Sequence, residues 1–493
     1  MHQHMPALWW SVLGALAGFI ESQPGMCKRM QVAVQFTGQL QRWTRQHAQR
    51  EQHEAEPVQA NESVTEAVHR RSLASGPRDT QFHRRRGSMV KLAVRSCVLP
   101  SSANWTSIRE AMQIETKLPK VGTTIFTVMS QLAATHDAVN LGQGFPDFDG
   151  PQELRDGLTA AMSAGRNQYA PMSGWPALRQ QIALKTKALY GRAVDADTEV
   201  TVTSGATEAL FAAIAAVVRT GDEVIVLDPC YDSYEPAIEL NGGVAVHVPL
   251  DGSDFSVDWQ RVRDALTPRT RMIVVNTPHN PCGSVFSAAD LDELAALTRD
   301  TGIFVLSDEV YEHIVFDGAL HQSVLRHNEL AARSFVVSSF GKTFHCTGWK
   351  IGYCVAPQAL SAEFRKVHQY LTFCTFTPAQ IALAEVLERL PQHYLELPAF
   401  YQARREFFRG LMEGSRFRLL PVGGAYFQVA DYSAISEKDD LAFCEWMVTT
   451  AGVAAIPLSS FYETPPSGQR LVRFCFAKSD DVLRAGAERL RVL

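Results

Sequence analysis

A lysine stands directly after a run of apolar residues in the sequence SSFGKTFHCTGWKIGY, residues 338–353. The run 334–340 has the length and composition of a buried strand, and it ends in Gly341 and Lys342. Burial disfavours a charged amine, so a lysine held there is neutral and can attack a carbonyl compound. The plainer interpretation is a side chain that reaches back to solvent from a turn.

Four other short apolar runs end in residues that could do chemistry. They are followed by 204–207 (Ser-Gly-Ala-Thr), 228–231 (Asp-Pro-Cys-Tyr), 276–280 (Asn-Thr-Pro-His-Asn) and 308–311 (Asp-Glu-Val-Tyr). Helix-like segments such as 287–300 alternate with these runs, which is typical of a mostly parallel sheet covered by helices on both faces. Ligands bind at the carboxyl ends of the strands in such sheets. The five ends together therefore predict one site with small residues, an aromatic ring, a carboxylate and a lysine.

Composition and charge argue against several classes of function. The chain has 493 residues, 46% hydrophobic, with a formal net charge of −5, which gives no basic surface for nucleic acid or an acidic membrane. Nine cysteines are scattered without a CxxC pair, so we expect reduced thiols, no disulfide framework and no metal site. The apolar run 6–20 is short for a spanning helix and lacks the basic residues that begin a signal peptide. We therefore expect a cytoplasmic protein.

Six segments in order resemble the fold-type I, pyridoxal-phosphate-dependent aminotransferases of class I/II. They are NLGQGFPDFDGP, NQYAPMSGWPALR, NTPHNPCG, SDEVYEH, SSFGKTFHCTGWKIGY and RLVRFCFAK. Within that family the chain is most similar to the bacterial methionine aminotransferase group, a neighbour of the kynurenine aminotransferase and glutamine transaminase K enzymes. The resemblance implies an α/β fold: a large domain with a mostly parallel seven-stranded sheet between helices, and a smaller α+β C-terminal domain. The expected divisions are a poorly structured extension (1–112), an arm with part of the small domain (113–160), the large cofactor domain (161–364) and the small domain (365–493).

The resemblance also implies roles for individual residues. Lys342 is the catalytic residue, which binds the aldehyde of pyridoxal 5′-phosphate and then moves the α-proton of the substrate. The other residues that bind the cofactor are Ala206, Thr207 and Ser339 at the phosphate, Lys350 where many relatives carry arginine, Tyr231 on the ring face, Asp308 at the ring nitrogen, Asn280 with Tyr311 at the ring hydroxyl, and Tyr169, which reaches the phosphate in the neighbouring subunit. Arg473, Gly144 and Asn280 are expected to bind the substrate, Arg473 through its α-carboxylate.

Each of these residues also has a plainer interpretation. Asp308 is placed as helix N-caps are, Asn280 as turn asparagines are, and Tyr231 and Tyr234 could be core tyrosines. Tyr234 is interpreted as a core residue, and Arg470 as a surface residue. The convergence of the six segments favours the functional interpretation of the others.

The expected activity is transfer of the amino group of methionine, or of a large neutral or aromatic amino acid, to a 2-oxo acid by a ping-pong mechanism. No second cation for a side-chain carboxylate can be located, and Phe145 and Phe373 are candidate apolar walls. Tyr169 implies a homodimer with shared active sites. The alternatives are a kynurenine or glutamine transaminase, a cysteine-S-conjugate β-lyase on the same fold, and a cofactor-sensing transcription regulator. The regulator is disfavoured because residues 1–112 lack the pattern of a helix-turn-helix.

Overall fold

The computed structural model of the chain describes residues 115–493. The expected extension 1–112 and its apolar run 6–20 lie outside the described residues. The helices are α1 (Ile125–Thr135), α2 (Gln152–Ser163), α3 (Pro176–Tyr190), α4 (Gly205–Val217), α5 (Tyr234–Leu240), α6 (Trp259–Asp264), α7 (Ala288–Thr298), α8 (Asn328–Ala331), α9 (Phe340–Thr343), α10 (Gln358–Leu371), α11 (Thr377–Arg389), α12 (Pro391–Leu411), α13 (Asp440–Ala451) and α14 (Asp480–Leu490). The strands are β1 (Val139–Asn140), β2 (Val200–Thr203), β3 (Glu223–Asp228), β4 (Val244–Pro249), β5 (Thr270–Asn276), β6 (Phe304–Asp308), β7 (Ser334–Ser339), β8 (Gly352–Val355), β9 (Arg418–Leu419), β10 (Phe427–Asp431), β11 (Val453–Ala454), β12 (Ile456–Pro457) and β13 (Leu471–Cys475).

In the described part of the chain, seven strands form one sheet in the order β2-β8-β7-β6-β5-β3-β4. Strands β4, β3, β5, β6 and β7 run parallel, whereas β8 is antiparallel to β7 and β2. Both faces of the sheet are buried, because Val305 of β6 belongs to one hydrophobic cluster with Leu294 of α7 and the adjacent Leu306 belongs to another with Leu210 of α4. Continuous apolar strands are what such a doubly covered sheet requires. The predicted α/β class and the seven-stranded sheet between helices are confirmed.

Helices α7 and α4 begin at residues whose types favour a helix start. The Ser287 side chain accepts a hydrogen bond from the Asp290 backbone, and the Asp290 carboxylate accepts one from the Ser287 backbone, which forms a capping box at α7. Helix α4 begins two positions after the last residue of β2, at Gly205, whose φ of +74° is the left-handed conformation that glycine adopts at little cost. The first turn of α4 is therefore held at the end of the sheet.

A second, antiparallel sheet joins strands in the order β12-β13-β10-β9. Arg473 of β13 pairs with Val429 of β10, so an arginine from the last hundred residues of the chain is held in this second sheet. This sheet and its helices form the smaller α+β part of the fold, as expected. The predicted domain boundaries stay predictions.

Candidate active site

The carboxyl ends of the parallel strands surround a cavity of about 330 Å³. Nearly all of the residues singled out from the sequence line it. These are Gly144, Ala206, Thr207, Tyr231, Asn280, Asp308, Tyr311, Ser339, Lys342, Lys350 and Arg473. Residues more than 300 positions apart in the chain thus lie at one site, as strand ends in a parallel sheet should.

Lys342 lies in α9, the short helix that follows β7. Its Nζ donates a hydrogen bond of 3.3 Å to the Gly144 carbonyl oxygen and lies 5.6 Å from the centre of the Tyr311 ring. Burial lowers the pKa of Lys342 from 10.5 to about 8, because the charged amine loses its water. A useful fraction of the amine is therefore neutral near physiological pH, as a nucleophile or a proton acceptor requires.

Asp308 is the last residue of β6, and its carboxylate is buried. Its Oδ2 accepts a hydrogen bond of 2.7 Å from the Tyr234 hydroxyl, and its Oδ1 accepts one of 3.3 Å from the Val310 backbone. Burial raises the pKa of Asp308 to about 6, while the hydrogen bond from Tyr234 acts in the opposite direction. The carboxylate is thus held in a fixed direction and is ready to pair with a cationic group.

Arg473 is almost completely buried, with 1% of its surface exposed. Its Nη1 donates to Asn280 Oδ1 at 2.7 Å, and its Nη2 donates to the Gly142 carbonyl at 2.9 Å. The guanidinium lies over the ring of Phe427, 4.1 Å from the ring centre, and its Nε is buried without a hydrogen-bond partner among the described residues. An arginine oriented in this way presents a rigid, planar set of donors that suits a carboxylate.

The first turn of α4 forms the cationic corner of the cavity. Free backbone N–H groups at a helix start favour an anion, and Ala206 and Thr207 both line the cavity there. Lys350 Nζ lies 3.4 Å from Thr207 Oγ1. A Cβ atom at Gly205 would lie 3.2 Å from Lys350 Nζ, so glycine leaves room for the ammonium against the helix.

Tyr231 and Tyr311 contribute aromatic surface. The Tyr231 ring packs edge-to-face on Tyr234 at 5.8 Å, and burial raises the pKa of Tyr231 to about 12, so its hydroxyl stays protonated. The Tyr311 ring packs edge-to-face on Tyr426, whose hydroxyl donates to the Gly144 carbonyl at 2.8 Å. Gly144 itself leaves no spare room, since a Cβ atom there would lie 3.1 Å from the Phe427 ring.

This arrangement combines a neutral amine, a buried carboxylate, an anion-binding helix start and a carboxylate-binding arginine. Residues 136–490 match the sequence family described as aminotransferase class I and II. The chain belongs to this family.

Relatives of this aminotransferase agree with the assignment. It is 55% identical over 379 residues to a methionine aminotransferase of Escherichia coli, covering 77% of this chain and 98% of the relative. It is 35% identical over 408 residues to a kynurenine–oxoglutarate transaminase of Rattus norvegicus, covering 76% of this chain and 96% of the relative. A crystal structure of an Escherichia coli protein identified as a methionine aminotransferase superposes with a TM-score of 0.76 at 54% identity, covering 78% of this chain and all of the other. The resemblance to both aminotransferase groups is confirmed.

The aminotransferase uses pyridoxal phosphate. The described residues fit this group, since the corner formed by Thr207 and Lys350 offers donors and a cation for a phosphate and Lys342 offers a neutral amine for an aldehyde. Asp308 offers a buried carboxylate that suits a protonated ring nitrogen. These roles for the individual residues stay predictions.

The structure does not bring three of the predicted aromatic residues into the cavity. Tyr169 is 81% exposed and packs edge-to-face on Phe373 at 5.4 Å, away from the lining residues of its own chain. The Phe145 ring is covered by Lys478, whose Nζ lies 4.7 Å from the ring centre. Phe145 and Phe373 are therefore not walls of this chain's cavity, and Phe126 and Phe427 line it instead. Phe126 was missed because it lies in α1, outside the quoted motifs.

Sequence reasoning also missed a buried polar network around Glu312. This carboxylate accepts hydrogen bonds of 2.7 Å from both Lys185 Nζ and the Tyr353 hydroxyl, and another from the Ser338 hydroxyl. Ser338 lies next to Ser339 on β7, so the network holds the strand that delivers Lys342. The sequence signal for this network was Glu312 itself, a charged residue in SDEVYEH one position after Tyr311.

Among residues 115–493, no helix combines the length and the apolar character needed to cross a membrane.

Proposed function

We propose that the chain transfers the amino group of methionine, and of large neutral or aromatic amino acids, to a 2-oxo acid. The observation that carries this proposal is the setting of Arg473. Its guanidinium is surrounded by aromatic rings, with ring centres of Phe427, Phe461 and Phe126 at 4.1, 5.1 and 5.3 Å. An α-carboxylate bound to Arg473 places the substrate side chain beside these rings, where apolar and aromatic groups are favoured.

Each basic side chain of the cavity already has another task, which also favours a substrate with a neutral side chain. Among the described residues that line the cavity, the basic side chains are Lys342, Lys350 and Arg473. Lys342 is needed for the chemistry, Lys350 lies at the phosphate corner, and Arg473 takes the α-carboxylate. A second substrate carboxylate would be buried without a partner, which costs several kcal/mol. The name of the Escherichia coli relative supports methionine as the donor.

In the proposed reaction, each residue has one task. Bound pyridoxal phosphate supplies an aldehyde that bonds to amines and a ring that accepts the electron pair left when the α-proton departs. Lys342 Nζ, with its pKa lowered to about 8, would take the α-proton and return it across the substrate nitrogen, at the carbon that came from the aldehyde. Asp308 holds the proton on the ring nitrogen, Tyr231 covers the ring face, and Asn280 and Tyr311 bind the ring hydroxyl. Ala206, Thr207, Ser339 and Lys350 hold the phosphate.

We further propose a homodimer in the cytoplasm. Exposed apolar side chains lie on both sides of Phe373 in the sequence, with Tyr370 86% and Phe376 50% exposed, and Phe373 itself packs on the exposed Tyr169. Large exposed apolar patches mark protein interfaces. In the dimer, Tyr169 would complete the partner's cofactor site. Sedimentation of the full chain at twice the monomer mass supports this, and a monomer with full activity contradicts it.

A donor panel tests the proposed substrate class. The full chain is incubated with a 2-oxo acid and methionine, phenylalanine, kynurenine, leucine or aspartate, and the new amino acid is measured. We expect kcat/KM for methionine to exceed that for aspartate by about a hundredfold, since an unpaired buried charge costs about 3 kcal/mol. Faster turnover of aspartate contradicts the apolar pocket. Release of pyruvate and ammonia from a cysteine S-conjugate, without formation of a new amino acid, favours the β-lyase instead.

A further inference from the structure

A second cavity, of about 420 Å³, shares Tyr231 with the active-site cavity and is lined by a histidine with an unusual set of neighbours. His247 is in β4, the strand at the edge of the large sheet. Its Nδ1 lies 2.8 Å from Asp228 Oδ1, at the end of the neighbouring strand β3. The other oxygen of Asp228 accepts a hydrogen bond of 3.0 Å from the Glu463 backbone. Since a carboxylate can only accept, Nδ1 carries the hydrogen, and the neutral ring presents the lone pair of Nε2.

His247 Nε2 lies near two carboxylates. His247 Nε2 is buried and has no hydrogen-bond partner among the described residues. Glu235 Oε2 lies 4.0 Å from it, and the ligand atoms of Glu235, His247 and Glu463 all lie within 4.8 Å of one another. A carboxylate that orients a histidine by its Nδ1, leaving Nε2 for an ion, is the usual support of a histidine ligand in metal sites.

A cation already lies between the two carboxylates. The ammonium of Lys120 is 2.9 Å from Glu235 Oε1, 2.9 Å from Glu463 Oε1 and 4.0 Å from Glu239 Oε1. The Lys120 side chain is 55% exposed, so it can leave this position for solvent at little cost. The Lys120 ammonium can therefore be displaced by another cation.

We propose that Glu235, His247 and Glu463 form a binding site for a divalent transition-metal ion such as Zn²⁺, and that Lys120 competes with the ion. One imidazole and two carboxylates are a ligand set that Zn²⁺ accepts, with water in the fourth position. Bonds of about 2 Å require the ligand atoms to approach one another by about 1 Å, which the partly exposed glutamates permit. The sequence predicted no metal site, because these ligands are separated along the chain and only the fold brings them together.

The bound ion would cross-link three parts of the fold. It joins α5, which follows Tyr231, to β4 and to the segment after Phe461. Both Tyr231 and Phe461 line the cavity of the proposed site. The ion would therefore hold Tyr231, which also lines the active-site cavity, and Phe461, whose ring centre lies 5.1 Å from the Arg473 guanidinium.

Calorimetric titration of the full-chain holoenzyme with Zn²⁺ tests the proposal, and Co²⁺ provides a visible spectrum of the same site. His247→Gln and Glu463→Gln each remove one ligand and should weaken Zn²⁺ binding by about a hundredfold. Lys120→Met removes the competing ammonium and should tighten it. His327→Gln is the matched control, since His327 Nε2 also lies near a carboxylate, at 3.8 Å from Asp292, and binding should be unchanged.

Lys120→Met is expected to raise the Zn²⁺ affinity, whereas the two ligand substitutions are expected to lower it. This difference makes the test specific for the proposed site. Equal Zn²⁺ affinity of the wild type, His247→Gln and Glu463→Gln would overturn the proposal, because other histidines and cysteines are common to all three. Weaker binding by Lys120→Met would also overturn it. The Glu463 side chain is 41% exposed, so the melting temperature of Glu463→Gln should equal that of the wild type. Glu463→Gln therefore still tests the proposal if His247→Gln does not fold.

Discussion

The hydroxyl of Tyr234 donates a hydrogen bond of 2.7 Å to Asp308 Oδ2, deep beneath the active-site cavity. Tyr234 opens α5, three residues after Tyr231, and both rings pack together at 5.8 Å. One tyrosine therefore faces the cavity, while the other holds the buried carboxylate. The interpretation of Tyr234 as a core residue is correct for its burial but overlooks this bond.

Tyr234→Phe should lower kcat about tenfold, the cost of one hydrogen bond to a charged group. The bond lowers the pKa of Asp308, so its loss raises that pKa above about 6. Because Asp308 acts as a carboxylate, the acidic limb of the pH–rate profile should move to higher pH. Tyr432→Phe is the control, since that hydroxyl bonds the distant Lys438 carbonyl. An unchanged profile for Tyr234→Phe would show that Asp308 is held by other groups.

Uptake of pyridoxal phosphate by cofactor-free protein should depend on the protonation of Lys342. The pKa of this amine is lowered to about 8, so the neutral form predominates above that pH and the charged form below it. The rate of uptake, followed by visible absorbance, should therefore rise through about pH 8 and level off well below pH 10.5. Lys342→Ala should lose this absorbance and nearly all turnover, whereas the exposed Lys366→Ala should not. A midpoint near pH 10.5 contradicts a desolvated amine.

Arg473→Lys should raise KM for every amino donor. Lysine keeps the charge but loses the planar pair of donors, which costs about 2 kcal/mol and corresponds to about thirtyfold in kcat/KM. The loss should be similar for methionine and phenylalanine, because both share the α-carboxylate. Arg470→Lys, which changes the half-buried arginine three positions earlier, should have no effect. A loss confined to one donor would mean that Arg473 contacts the side chain instead.

Lys350→Met should weaken cofactor binding about tenfold, since it removes one charge-assisted hydrogen bond from the phosphate corner. Lys350→Arg should bind the cofactor at least as tightly as the wild type, because its guanidinium offers two donors to phosphate. Equilibrium dialysis against pyridoxal phosphate measures both. Equal affinity of Lys350→Met and the wild type for pyridoxal phosphate would mean that Ala206, Thr207 and Ser339 bind the phosphate without Lys350.

Much of the site could be predicted from the sequence, because its residues follow strands whose ends are marked locally. An apolar run that stops at Asp308 or before Lys342 indicates both the strand and the residue at its carboxyl end. The order of the six family segments then assigned these residues to one kind of chemistry. The helix-like segment that begins at Ser287 was also predicted correctly, since its capping box with Asp290 depends on neighbours in the chain.

Only the tertiary structure decided which distant side chains meet. Phe126 lies beside Arg473, 347 positions later in the numbering, and neither residue carries a local sign of the other. The bonds of Tyr234 to Asp308 and of Lys185 to Glu312 likewise join separate elements. Sequence patterns record whether a residue is buried, because burial follows the period of a helix or strand. They do not record its partner, because that depends on how the elements pack.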